Sequence, residues 1–244
     1  MIAEVKINKN NISNNVKKIF QLDTSLQDNN FHVLNLRAMI EENRAAIMKN
    51  YEAAYVGNRQ LINANRAMIL KNRLSVLSSM KVSGEVQVNF QTSMINQATL
   101  EFLEVQANLD KSSLEVSELL SKANALLIEA NSKIMAMNAE LTEFNVKNIA
   151  LNTEIIEGGL LPEKATVKSN ATRIAANEKK LLALEKLVAK QTTVIVKFSE
   201  KVHANREKIE NNAKTIDERR KNVLENRVDI TKNRRRENIL TLVS

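Results

Sequence analysis

The sequence predicts an all-α fold: three long heptad-repeat helices, in tandem repeats of about 81 residues, folded up-down-up as an antiparallel helical bundle or coiled coil. Three observations predict it. Helix breakers are scarce, with one Pro and four Gly in 244 residues. Aliphatic residues recur at every seventh position over long stretches. Asparagine, at 32 residues, keeps to one place in that period.

The period is cleanest near the C-terminus. Val167, Ile174, Leu181, Val188, Ile195, Val202, Ile209, Ile216, Val223 and Ile230 stand seven apart and define heptad position a. Three residues after each, at position d, stand Asn170, Asn177, Leu184, Gln191, Phe198, Asn205, Asn212, Arg219, Asn226 and Asn233. A seven-residue apolar period held this long imposes a left-handed supercoil. Moving back 81 residues gives Asn89, Asn96, Leu103, Asp110, Ser117, Asn124, Asn131, Asn138, Asn145 and Asn152, with a row a running from Val86 to Ile149. Moving back 81 again gives Asn8, Asn15, Leu22, Asn29, Leu36, Asn43 and Asn50. One extra residue near Gly57 then shifts the register, which resumes at Asn58, Asn65 and Asn72. Such a discontinuity should locally rewind the supercoil.

Asn fills 21 of these 30 d positions, where its overall frequency would place about four. Asn is a mediocre helix former, because its amide competes for nearby backbone groups. A core position in a coiled coil gives it a use, since a buried Asn fixes register and strand number. The ladder expected to lie in the core is Asn43, Asn50, Asn58, Asn65, Asn72, Asn124, Asn131, Asn138, Asn145, Asn152, Asn170, Asn177, Asn205, Asn212, Asn226 and Asn233, with amides bonding across between helices.

The chain reads as one elongated helical domain, with repeats 1–81, 82–161 and 162–244. The first junction, Lys81 to Glu85, carries Gly84 as a helix end. The second, Glu157 to Glu163, has Gly158 and Gly159 to stop a helix and Pro162 where the next can begin. Such short linkers leave two arrangements, an antiparallel return or an end-to-end rod. Charge favours the return. Repeat 1 holds 12 basic and 6 acidic residues, repeat 2 holds 4 and 11, and repeat 3 holds 20 and 11. An acidic helix between two basic ones selects its neighbours. Position e agrees, with Arg44, Arg59, Arg66 and Arg73 in repeat 1 against Ala125, Ser132 and Ala139 in repeat 2. Apolar residues at position g, such as Leu120, Leu127, Ile134 and Leu141, widen the stripe of repeat 2, as for a helix touched on more than one side. The polar runs at Asp28, Asp110 and Gln191 could cap a second helix, but they leave the a and d phase intact, so continuous or slightly kinked helices are expected there.

Catalytic constellations are missing from the pattern. There is no Cys, and the two histidines, His32 and His203, occupy unrelated repeat positions. No phosphate-binding Gly loop or nucleophile arrangement occurs, so neither an enzyme nor a cofactor is expected. No apolar run approaches a membrane span, and no secretory leader is legible, which leads to an expected cytoplasmic setting. The function expected is that of a structural protein: a self-assembling coiled-coil rod with itself as partner, forming a filament, sheet or scaffold. Two alternatives stand beside it. One is a helical adaptor or binding module for another protein. The other is a basic nucleic-acid-associated coiled coil, suggested by the 12 basic residues between Lys201 and Arg236. No aromatics interleave there for base stacking.

Overall fold

The computed structural model describes residues 2–159 and 162–243, which are helical almost throughout. The elements are α1 (Ile2–Tyr51), a π-helical turn (Glu52–Asn58), α2 (Arg59–Ser78), α3 (Glu85–Ile156), a short 3-10 turn (Pro162–Lys164) and α4 (Val167–Val243). No strand occurs among the described residues. Each helix passes through its polar run without a break, since Asp28, Asp110 and Gln191 all lie inside continuous α-helix.

The punctuation has local causes. After α3, Gly158 takes a positive φ of 86°, the left-handed conformation that a Cβ opposes. The Gly159 N–H donates to the Glu154 carbonyl at 2.9 Å, and a Cβ on Gly159 would meet that same oxygen at 2.8 Å. Leu160 and Leu161 of this junction lie outside the described residues. Helix α4 opens with a reciprocal cap absent from the sequence reading. The Ser169 N–H donates to Thr166 Oγ1 at 3.0 Å, and the Thr166 N–H donates to Ser169 Oγ at 2.9 Å. At the first junction the expected role of Gly84 is corrected. Helix α2 has already ended at Ser78, and the Gly84 carbonyl accepts from Gln87 and Val88 to begin α3.

The extra residue near Gly57 takes the form of the π-helical turn. A π turn holds one residue more per hydrogen-bonded ring than an α turn, so it absorbs an insertion without rotating the flanking rows. Contacts cluster into two units. The first joins Met1–Ala53 to Glu154–Ile216, and the second joins Ala54–Thr153 to Asp217–Ser244.

Within the first unit, α1 and α4 run parallel. Their shared core is asymmetric: Asn15, Leu22, Asn29, Leu36 and Asn43 of α1, all from row d, are buried against Ile174, Leu181, Val188, Val202 and Ile209 of α4, all from row a. Within the second unit, α2 runs parallel to α4 and antiparallel to α3. Three arginines on α2 reach progressively earlier residues of α3: Arg59 donates to Ser113 at 2.5 Å, Arg66 to Gln106, and Arg73 to Glu101 at 2.5 Å. The order up, down, up therefore holds in this unit, and α3 doubles back along α2.

Candidate functional site

The amide ladder of repeat 1 is built from helix spacing alone. Asn8, Asn15, Asn43 and Asn50 each donate through Nδ2 to a backbone carbonyl of α4, those of Val167, Ile174, Val202 and Ile209, at 2.8–3.3 Å. The acceptor always stands 159 residues ahead of the donor. In the second unit the same bond joins Asn65 to Val223 at 2.8 Å and Asn72 to Ile230 at 3.3 Å, with a spacing of 158. The difference of one is the residue held in the π turn. A carbonyl inside a helix keeps a second lone pair after its own helix bond, and the amide takes it.

The amides of repeat 1 thus bond across between helices, and their acceptors are backbone carbonyls. One layer departs from this pattern. Thr192 Oγ1 lies 3.0 Å from both the Val188 carbonyl and Asn29 Oδ1. The hydroxyl occupies the acceptor that the Asn29 amide would use, and Asn29 Nδ2 is buried with no hydrogen-bond partner.

The expected core ladder in all three repeats is corrected. Asn43, Asn58 and Asn65 are buried, while Asn50 and Asn72 are bonded at part-buried sites. Asn124, Asn131, Asn138, Asn145 and Asn152 of α3 are exposed, and so are Asn170, Asn177, Asn205, Asn212, Asn226 and Asn233 of α4. The cause is directional: α1 and α2 turn row d toward α4, and α4 answers with row a, so its own row d faces away from this contact. Row a of α1 is likewise left open. Val5, Ile12, Ile19, Leu26, Val33, Ile40 and Ile47 are 38–52% exposed, while Val202 on the covered row of α4 is 4%.

These two open rows flank one groove in the first unit. Its walls include Leu26 and Val33 from row a of α1 and Gln191 from row d of α4, with Leu187, Val194 and Ile195 beside them. In the second unit a corresponding hollow is lined by Ile69 of α2 and Asn233 of α4.

Helix α3 carries the third feature. Every residue from Leu114 to Lys147 is exposed, a stretch of roughly 50 Å at the helical rise. The expectation that repeat 2 is touched on more than one side is corrected for this stretch. The arginines that clasp α3 all sit on α2 and reach no further than Ser113. Leu114, Leu119, Leu126, Ile128, Met135, Leu141 and Phe144 are consequently exposed apolar side chains on a single helix. Charge is confined mostly to rows b and f, where Lys133 pairs with Glu129 and Lys147 with Glu143 at 2.6 Å.

No protein-family model, curated protein or solved structure matches this chain.

The remaining polar features are local. Arg66 lies 4.5 Å from the Phe102 ring centre, and its Nε and Nη1 are buried without hydrogen bonds. Glu101 is held below the usual carboxylate range, first by the bond from Arg73 and then by that from Gln97, against a small opposing effect of burial. His32 and His203 are both exposed. Among the described residues no group of three or more His, Asp or Glu is placed to hold a metal, and no helix is long and apolar enough to cross a membrane.

Proposed function

We propose that the protein is a non-enzymatic, cytoplasmic structural component, a coiled-coil rod whose copies assemble with one another into a filament, sheet or scaffold. The observation that carries this reading is the uncovered stretch of α3 from Leu114 to Lys147, where five of seven heptad rows are apolar, small or Asn apart from Glu118. A continuous apolar face of that length on one helix marks a protein contact. The open row a of α1 supports the same reading, because a second large apolar surface lies on the same molecule.

Sedimentation of the purified chain over a wide concentration range, followed by negative-stain microscopy, tests it. Concentration-dependent assembly into particles of regular width is expected. A chain that stays monomeric at every concentration would remove the reading. Retention on a DNA column that weakens steeply with salt would favour the nucleic-acid alternative.

A further inference from the structure

We propose that the open groove between α1 and α4 is a seat for residues 114–153 of α3 from a second copy of the chain, docked parallel to both as a third strand. The inference rests on the assembly reading above and names its contact surfaces.

The groove has the shape of a core lacking one strand. In a parallel bundle each helix points rows a and d inward, meeting one neighbour with each row. Helix α1 spends row d on α4, and α4 spends row a on α1. What remains is row a of α1, aliphatic and half-exposed, and row d of α4, which carries Asn170, Asn177, Asn205 and Asn212. A strand that repeats the same interface at both flanks needs two things. It needs Asn at row d to donate to the carbonyls of row a on α1. It also needs a row a whose carbonyls can receive the amides of α4.

Repeat 2 has that pattern, with Asn124, Asn131, Asn138, Asn145 and Asn152 at d and Ser121, Ile128, Met135, Thr142 and Ile149 at a. The same stretch is the one left uncovered. A strand seated between two helices is touched on two sides, which suits a helix whose charge is confined mostly to rows b and f. Charge fits too. Residues 114–153 hold 3 basic and 5 acidic side chains, against 11 and 5 in residues 167–216 of α4.

Direction identifies the source of the strand. The amide-to-carbonyl pattern occurs between parallel helices, whereas α3 runs antiparallel to α2 in its own unit. A second copy turned end for end presents its α3 in the required sense.

The chain has no cysteine, so introduced thiols are the only ones present. One set of molecules carries Leu26→Cys, at the half-exposed row a of the groove. The other set carries a single cysteine at row a of α3: Ser121→Cys, Ile128→Cys, Met135→Cys or Thr142→Cys. Each pair of variants is mixed unfolded, refolded, checked for helicity and oxidised. A mixed disulfide is expected for at least one member of the series, because a layers meet a layers and the heptad register is scanned in steps of seven. Glu129→Cys, in row b, should give none. Absence of the mixed disulfide throughout, with assembly still seen by sedimentation, overturns the seat and leaves the assembly reading intact. Disulfides joining only α3 to α3 also overturn it. So does an intrachain bond in a monomeric chain carrying both Leu26→Cys and Met135→Cys. A chain that never associates overturns both readings together.

Discussion

The side chain of Asn65 condenses the logic of the fold. Its Nδ2 donates to the Val223 carbonyl at 2.8 Å from a buried site, while Asn131, the corresponding kind of residue on α3, is exposed. A buried amide bond contributes about 0.5–1.5 kcal/mol net, and deleting the amide also leaves a small void. Asn65→Ala should therefore cost about 1–3 kcal/mol in urea unfolding at dilute concentration. Asn131→Ala should stay within about 0.5 kcal/mol under the same conditions. Equal losses at the two sites would mean that α3 is covered within the monomer. Glu101 gives a second residue-scale expectation. Its folded carboxyl titrates lower than in the unfolded chain, because Arg73 donates to it. Its stabilising effect is present above the ordinary carboxylate range and is lost as pH falls through the depressed value. Glu101→Gln should lower stability slightly at neutral pH, slightly because the pair is exposed, and the two profiles should converge as pH falls below about 4.5.

The π turn is the element whose effect is easiest to isolate. Fifteen residues separate Asn50 from Asn65, whereas fourteen separate Ile209 from Val223, and the Glu52–Asn58 turn accommodates the difference. Deleting Gly57 should restore one unbroken heptad register and convert the turn to α-helix, removing a residue that costs about 1 kcal/mol in a helix. Melting should rise by roughly 2–4 °C, and any fall would show that the flanking rows had lost their phase. The insertion was legible in sequence, because an extra residue in a strict period leaves a countable trace, but a local rewinding of the supercoil was expected there and not a π turn. The long helices were legible for the same reason. The thing that escaped was the pairing. Heptad rows a and d tell that a helix has neighbours, but they do not tell which row meets which helix. Row d of repeat 1 and row d of repeat 3 are both rich in Asn, yet Asn43 is buried and Asn205 exposed. The acceptor of the amides escaped too, since a backbone carbonyl has no signature in sequence. Nor does the repeat pattern show where the α2 arginines stop holding α3.

At the scale of the molecule, stability should be uneven along α3. Its first part is anchored by Arg59, Arg66 and Arg73, while residues 114–147 have no buried side chain. Helical stability in proteins comes mainly from packing, so an uncovered stretch depends on its own local propensity. Amide hydrogen exchange in dilute solution should be fast over 114–147 and slow over 15–43. Raising the concentration should protect 114–147 selectively, as a covering partner arrives. Fast exchange that persists at concentrations where the chain is fully assembled would show that assembly uses another surface.

The common register of the α1 amides also has a mechanical meaning. Asn8, Asn15, Asn43 and Asn50 are separated by multiples of seven residues, so their carbonyl contacts recur at multiples of roughly 10 Å along the pair. They act as teeth on a rack. A pull along the axis loads all four at once, and none can slip without the others. Displacement by less than a tooth takes every amide out of reach of the row a carbonyl it bonds. Sliding between α1 and α4 should therefore occur in jumps of about 10 Å rather than as creep.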